Sequence, residues 1–422
     1  MTEKNRQERI AKMDTEIPRP RLLLDGAAAT NLSFDGMPKD GCTEEWMLSH
    51  SNEVEKLIGS YAGAGSDILY APTFSANRAR LSRFGRQGQV AEINRRLVEI
   101  TRAVSGGKRV AGDLSPTMLS VEPYGETPYE ELVAIYDEQA HALAEAGVDL
   151  FVIETMLSLN EARAALLACR KYGKPVYVTM VLNEHGTIFS GAHPLACLIT
   201  LQELGAAAFG FNCSSDFSVL EEALREVAPF AKIPLISKPS VERGNPLLPE
   251  RKGIAPGEFA EKAEKLLAAG AGIIGGCCGT APEHIAALRS LLDGYEGNIL
   301  PEQKEEYDIL LTNEKEVFKL DNDRIEFTGH VKCEFDMADD LLAAEQDSYD
   351  VLLIDVDTPE EAYEFSQNAH LATLPVCLHS ENEEALALAL FLYNGRCMVD
   401  KDVSLPQETL RRLSDEYGAV LY

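Results

Sequence analysis

Eight short apolar runs punctuate the first 300 residues of this chain, each followed by a longer stretch with helical spacing. The runs are Arg21–Leu24, Ile68–Ala71, Arg109–Asp113, Leu150–Glu154, Val176–Leu182, Ala208–Asn212, Pro234–Lys238 and Gly272–Gly276. Between them apolar residues recur at i, i+3 and i+4, as in Glu131–Ala146 and in Asn160–Tyr172, which Gly173 and Pro175 stop. Several runs lack alternation, the pattern of parallel strands covered on both faces. Eight βα units in about 280 residues predict an α/β fold of the (β/α)8 TIM-barrel type. The competing layout, a doubly wound open sheet, usually needs fewer strands.

The rest of the chain is chemically different. Residues 301–422 carry 29 acids and 9 bases, against 39 and 30 in residues 1–300, and only Gly329, Gly395 and Gly418 of the 31 glycines lie there. After Gly294 the text is polar and aperiodic, as a linker would be, and its run Glu302–Glu306 reads as a solvated face. Beyond it, strands are expected at Arg324–Thr328, Asp350–Val356, Leu374–Leu378, Arg396–Val399 and Ala419–Leu421. Helices are expected at Met337–Asp347, Pro359–Asn368, Asn382–Tyr393 and Pro406–Tyr417. The chain therefore divides into a barrel over 1–298 and a smaller α/β piece over 299–422, half a barrel or a small open sheet.

Composition narrows the function. A 45% hydrophobic, 25% charged chain can build a sizeable core. The net charge of −29 repels phosphate backbones and anionic membranes, so neither a nucleic acid nor a membrane is an expected partner. The first twenty residues carry no signal-peptide pattern, and no apolar stretch approaches the length of a membrane span. Nine cysteines in such a chain read as thiols of a reducing compartment, by default the cytoplasm.

Chemistry is expected at the C-terminal ends of barrel strands. There the sequence places Asp25-Gly26, Asp113, Glu154-Thr155, Asn212-Cys213, Lys238 and Gly276-Cys277-Cys278. Adjacent cysteines bridge only through a strained disulfide. Two of them plus a third from across a barrel can instead bind Zn²⁺ at about 2.3 Å each, leaving one tetrahedral position open, as catalytic zinc requires. Against this stands the packing role that most cysteines play, and a 64-residue gap is no zinc-finger spacing. Cys42, Cys169, Cys197, Cys333, Cys377 and Cys397 are assigned to packing. A metal held by three thiolates suits a soft fourth ligand, above all a substrate thiolate, and lowers that thiol's pKa. The chemistry this points to is alkylation of a thiol, which needs no general base from His185, His193 or His284.

The segments LLLDGAAATNL, DILYAPTFSAN, DLFVIETM, FGFNCSS and IIGGCCGT, in that order over about residues 20–292, resemble the homocysteine S-methyltransferase family. Within it the chain resembles the N-terminal homocysteine-binding module of cobalamin-dependent methionine synthases. The resemblance implies that Cys213, Cys277 and Cys278 bind zinc, which takes the homocysteine sulfur. It further implies that Asp25 and Glu154 hold the substrate amino group and that the backbone at Ala27, Ala28 and Ala29 receives its carboxylate. The family motif has glycine where Ala29 stands. Asn212 is expected to support the site by hydrogen bonds. The implied product is methionine. Betaine as donor is disfavoured, because betaine-using relatives carry a tyrosine near Ser75. The implied donor is methylcobalamin or a methylated corrinoid protein, with a sulfonium such as S-methylmethionine as the alternative. A non-catalytic thiol- or metal-binding protein is the third reading.

The C-terminal stretches YDVLLIDVDTPEEA, LPVCLHSENEEALALAL and NGRCMVD are similar to the pterin-binding barrel that follows this module in methionine synthases, but span about half of it. Where that family has an Asn-containing strand end, this chain has Asp355-Val356-Asp357, and His379-Ser380 and Asp400-Lys401 replace its Asp-Ser and Asn-Ser. These departures count against folate binding, and a degenerate half-barrel kept for folding, docking or homo-oligomer formation is the reading that follows. No DxHxxG corrinoid motif occurs, so a separate carrier protein would bring any cobalamin.

Overall fold

The computed structural model describes residues 21–38, 40–241, 253–297, 308–321, 324–344 and 348–422. The first twenty residues, most of the expected linker and its acidic run fall outside the described residues. By contact, the described residues within Met1–Met118, Val133–Phe189 and Ala206–Glu302 form one compact unit. Those within Leu119–Leu132, Ser190–Gly205 and Gln303–Tyr422 form a second.

The first unit is a parallel barrel of β1 (Leu22–Leu23), β2 (Ile68–Ala71), β3 (Arg109–Leu114), β4 (Leu150–Met156), β5 (Val176–Met180), β6 (Ala208–Asn212), β7 (Leu235–Lys238) and β8 (Ala271–Ile274). All eight expected runs are strands, in the order β1-β8-β7-β6-β5-β4-β3-β2. A bridge between Leu24 and Ile68 joins the two ends of that order and closes the ring. Side chains alternate across the wall. Leu22, Leu24, Ile68, Tyr70, Leu150, Val152, Ile236 and Ile273 fill the interior. Leu23, Leu69 and Ile274 pack outward with Val54, Ile58, Leu97, Leu267 and Leu288 of the surrounding helices. The runs look uniformly apolar in sequence because both faces are dry. Among the described residues no helix is long and apolar enough to cross a membrane.

The second unit holds a parallel sheet of β11 (Phe327–Lys332), β12 (Val351–Asp355), β13 (Val376–His379), β14 (Met398–Val399) and β15 (Val420–Leu421), paired in sequential order. This is an open, half-barrel-like arrangement. One face, with Leu352, Ile354, Val376, Leu378 and Val399, packs with helical residues such as Phe365, Leu386, Leu390 and Leu410. The opposite face, with Val351, Cys377 and Met398, packs with Ile309 and Leu311. These last two belong to β9 (Ile309–Thr312), which pairs antiparallel with β10 (Val317–Leu320). The sequence reading ended its linker at Leu310 and missed this hairpin. It also began the next strand at Arg324, whereas β11 starts at Phe327. β10 and β11 are half-exposed strands that no apolar run announces, whereas β9 is a short, mostly buried apolar run directly after the polar linker. The helix expected over Met337–Asp347 is described over Ala338–Ala344, and residues 345–347 lie outside the described set.

Barrel closure leaves no room at Gly210, where a Cβ would sit 1.9 Å from the Ile236 carbonyl oxygen on the neighbouring strand. Gly210→Ala is therefore expected to cost about 1–3 kcal/mol or more in denaturant unfolding. Gly59→Ala, in the helix Ser51–Gly63 with its nearest new neighbour at 3.9 Å, should be neutral or stabilising by up to about 1 kcal/mol. Equal behaviour of the two variants would contradict this packing.

Candidate active site

The C-terminal mouth of the barrel opens into a cavity of about 590 Å³. Asp25, Tyr70, Asp113, Glu154, Lys238 and the three cysteines Cys213, Cys277 and Cys278 line it, together with Ala27–Ala29. Each of the eight comes from the end of a strand or from the loop that follows it.

The thiols converge although they arise on different strands. Cys213 follows β6 with φ of 61°, a left-handed turn that a non-glycine residue rarely takes. Its N–H donates to the Lys238 carbonyl at 3.1 Å, which fixes the turn against β7. Cys277 and Cys278 follow β8. The Cys277 N–H donates to the Pro239 carbonyl at 2.9 Å, and its own carbonyl accepts the Thr280 hydroxyl at 2.7 Å. Gly276 makes this turn possible, since a Cβ there would stand 2.4 Å from the Thr280 hydroxyl oxygen. The outcome is a Cys213 Sγ to Cys278 Sγ distance of 3.6 Å, with all three sulfurs within 4.8 Å of one another. Hydrogen bonds with the thiols of Cys277 and Cys278, followed by burial, hold the Cys213 thiol far above its usual range. The Cys277 thiol is pushed up to about 11, because its contact with Cys278 and its burial outweigh a lowering hydrogen bond with Cys213. Three packed sulfurs resist ionising together unless a cation compensates them, so the donor set fits a soft divalent metal. The six other cysteines are buried, as expected of packing residues.

Asn212 does not line the cavity. It is fully buried and ties the site together from behind. Its Oδ1 accepts the Thr155 N–H at 3.1 Å, while its Nδ2 donates to the Thr155 hydroxyl at 2.9 Å and approaches Cys277 Sγ at 3.7 Å. Thr155 shares the left-handed backbone of Cys213, with φ of 64°.

The polar half of the cavity is a buried charge cluster that sequence reading singled out only in part. Lys238 is 3% exposed, and its Nζ donates to Glu154 Oε2 at 3.0 Å while sitting 3.7 Å from the centre of the Tyr70 ring. Burial opposes its charge, but Glu154, Tyr70 and Asp25 hold its pKa above the usual range. Burial raises Glu154, against the pull of Lys238. Asp25 accepts the Tyr70 N–H on Oδ2 at 2.7 Å, and burial pushes its carboxyl up to about 7 despite Lys238. Burial, then the nearby Glu154, raises Asp113 well above the usual carboxylate range. Asp25 Oδ1, Asp113 Oδ1 and the Tyr70 hydroxyl are buried without a hydrogen-bond partner among the described residues. Unsatisfied buried acceptors are costly, and a cationic ligand group would satisfy them.

Of the loop expected to receive a carboxylate, Ala27 has its N–H engaged by the Thr280 hydroxyl at 3.1 Å. Among the described residues no such partner meets the N–H groups of Ala28 and Ala29. Sequence reading noted Asp113 and Lys238 at strand ends without assigning them a site role. Tyr70 was not noted, because a tyrosine inside an apolar run carries no signal of its own. His193 accepts the Leu195 N–H at the start of a helix, His284 accepts the Ala281 N–H likewise, and His185 lies on the surface. None of the three lines the cavity.

A closed (β/α)8 barrel that gathers three thiols and a buried amino-acid-sized charge cluster at its mouth defines a class of thiol-directed transferase sites. The family model described as Homocysteine S-methyltransferase matches residues 22–292, and the chain belongs to that family of methyltransferases. It is 28% identical over 299 residues to the methionine synthase of Mycobacterium leprae (strain TN) and 27% identical over 284 residues to that of Mycobacterium tuberculosis (strain ATCC 25618 / H37Rv). These matches cover 64% and 62% of this chain but 24% of each relative, so the chain spans about a quarter of their length. Among solved structures it is similar to the homocysteine methyltransferase MmuM from Escherichia coli in its metallated form, with a TM-score of 0.53 and 24% identity. That likeness covers 64% of this chain and 95% of the other, and it concerns the fold.

The cluster yields two expectations. For Asp25, a folded pKa of about 7 against an ordinary 3.8 means that the native state binds the extra proton. The associated stability is fully present below about 3.8 and is lost as pH rises through about 7. Asp25→Asn should flatten that limb when metal-free protein is unfolded in denaturant at successive pH values, and an unchanged profile would count against it. Lys238→Met strands buried carboxylates and should cost about 3–5 kcal/mol at pH 8 in the same assay.

Proposed function

We propose that the barrel transfers a methyl group to the thiol of homocysteine, giving methionine, with zinc held by Cys213, Cys277 and Cys278. The observation that carries this reading is the convergence of three sulfurs beside buried, unsatisfied carboxylates in one cavity. Family membership supports the acceptor. When bound, the metal would take the substrate sulfur as a thiolate and keep it nucleophilic near neutral pH.

The protein's own residues supply the rest. Asn212, through Thr155 and Cys277, keeps the thiol cluster from rotating away. The free oxygens of Asp25 and Asp113, with the outer oxygen of Glu154, take the substrate ammonium group. Lys238 keeps that acidic pocket close to neutral so that a zwitterion, rather than a bare cation, is the preferred guest. The N–H groups of Ala28 and Ala29 receive the carboxylate. With both ends of the amino acid fixed, the sulfur is aimed across the mouth and attacks the donor methyl in line. The methyl bond to the donor breaks with its electron pair left on the donor. Methylcobalamin or a methylated corrinoid carrier protein is the proposed donor, since the matched relatives are methionine synthases. We assign residues 1–298 to this module and 299–422 to a degenerate, partial pterin-binding-like module. Nine free thiols support a reducing setting such as the cytoplasm.

Methionine formation from homocysteine, with methylcobalamin as sole donor and with S-methylmethionine in a parallel assay, tests the reading. The expected result is chelator-sensitive turnover with the corrinoid. Turnover with the sulfonium alone would reassign the donor, inertness with both would leave a corrinoid carrier protein as the donor to supply, and zinc-loaded protein that fails to bind homocysteine would refute the proposal. Cys277→Ser should lower kcat/KM by about 100-fold or more. Asn212→Ala should weaken zinc binding by about 10–100-fold, read by chelator competition.

A further inference from the structure

The second unit repeats, on a smaller scale, the rule that chemistry collects at the C-terminal ends of parallel strands. His330 on β11, Asp355 ending β12, His379 ending β13 and Asp400 just after β14 stand on four successive strands. Asp355 is the direct cross-strand partner of His379. Leu378 pairs with Val399, so His379 stands beside Asp400 on the next step of the ladder. Strand alternation puts the group on the face of Val351, Leu353, Cys377 and Met398, away from the helices. In a closed barrel that face would be the interior.

The side chains have already converged. His330 Nδ1 lies 2.6 Å from Asp355 Oδ1, His379 Nδ1 lies 2.8 Å from Asp400 Oδ2, and the two imidazoles meet edge to face with centroids 4.9 Å apart. One ligand atom from each of His330, Asp355 and His379 lies within 4.8 Å of the other two. Asp400 is itself anchored, its Oδ1 accepting the Asp402 N–H at 2.8 Å. With Nδ1 held by a fixed carboxylate, His379 offers Nε2 outward. That is the carboxylate–histidine arrangement which sets the tautomer of metal-binding imidazoles.

We infer that His330, Asp355 and His379 form a second metal site, for a divalent transition ion such as Zn²⁺, Co²⁺ or Ni²⁺, with Asp400 orienting His379. Two imidazoles and a carboxylate match ions of intermediate softness, in contrast to the all-sulfur set of the barrel. Metal–ligand bonds of about 2.1 Å place tetrahedral ligand atoms roughly 3.4 Å apart, a spacing that three donors within 4.8 Å of one another reach by side-chain rotation once the His330–Asp355 hydrogen bond gives way to the metal. His330, with its side chain 52% exposed, has the freedom to make that movement, while Asp355 and His379 are only partly exposed. The surrounding residues 301–422, with 29 acids and 9 bases, attract a cation. Two of these ligands, Asp355 and His379, and the orienting Asp400 are among the positions where the sequence departs from the pterin-binding pattern. The departures that remove one ligand chemistry thus assemble another. This inference stands independently of the methyl-transfer reading.

The test is a Co²⁺ titration of the full-length, untagged, metal-free chain under reducing conditions, followed by absorption spectroscopy and by total bound metal. Two equivalents are expected, one with thiolate-to-cobalt charge-transfer absorption and one without. His379→Ala and the near-isosteric Asp355→Asn should each lose the equivalent that lacks charge transfer and retain the other. Cys277→Ser/Cys278→Ser should do the reverse. Retention of the charge-transfer equivalent serves as the folding control. A wild-type chain that binds one equivalent only, with charge transfer, would overturn the inference, as would two equivalents persisting in both the His379→Ala and Asp355→Asn variants. Loss of charge transfer in the wild type, with the His379-dependent equivalent intact, would instead count against the thiol site alone.

Discussion

Parallel pairing of β1 with β8 is the contact on which the first unit's chemistry depends. Leu22 and Leu23 align with Ile273 and Ile274, and the Leu24 bridge to Ile68 completes the ring. Because the register is held there, the Asp25 carbonyl accepts the Gly276 N–H at 3.0 Å, and the two loops that leave these strands are stitched together. One loop carries the acid of the amino-acid pocket and the other carries the paired thiols. They lie about 250 residues apart in the chain, so without closure the acid of the pocket and the thiol cluster, itself set by the pairing of β6, β7 and β8, would not face one cavity.

Within the closed mouth, Lys238 governs the electrostatics. Three carboxylates buried together could not share a dry cavity with charge on each, and a single ammonium at their centre makes the arrangement tolerable. The Tyr70 ring holds that ammonium by its face, so the lysine needs no further acceptor on that side. This division leaves defined oxygens of Asp25 and Asp113 unsatisfied. A site of this kind is preorganised: its free acceptors exist before a ligand arrives, and the orienting hydrogen bonds of Asn212 are already made.

The second unit solves a different packing problem. An open sheet of five parallel strands has a bare face where a full barrel would have an interior. The β9–β10 hairpin covers part of it, with Ile309 and Leu311 against Val351, Cys377 and Met398. Coverage of the apolar part leaves the C-terminal strand ends to polar residues, and there the two histidines and two aspartates gather.

Much of this was legible in the residue order. Parallel strands buried on both faces are written as uninterrupted apolar runs, so all eight barrel strands could be read, and the helices between them followed from spacing. Cys277-Cys278 was legible because adjacent thiols between glycines have few other uses, and family motifs led to Cys213, Asp25 and Glu154. Residues whose meaning is a distance could not be read. Tyr70 and Lys238 became a cation–ring pair, and Ala27 gave its N–H to Thr280, only when loops from different strands met. Half of the hairpin was hidden because β10 is half-exposed and carries mixed residues, and His330 joined Asp355 and His379 only through sheet register. Local pattern determines which segments become strands and helices, since periodicity and solvent exposure act residue by residue. Barrel closure and strand register decide which distant side chains share a cavity, because hydrogen bonds, desolvation and ion pairing act through space.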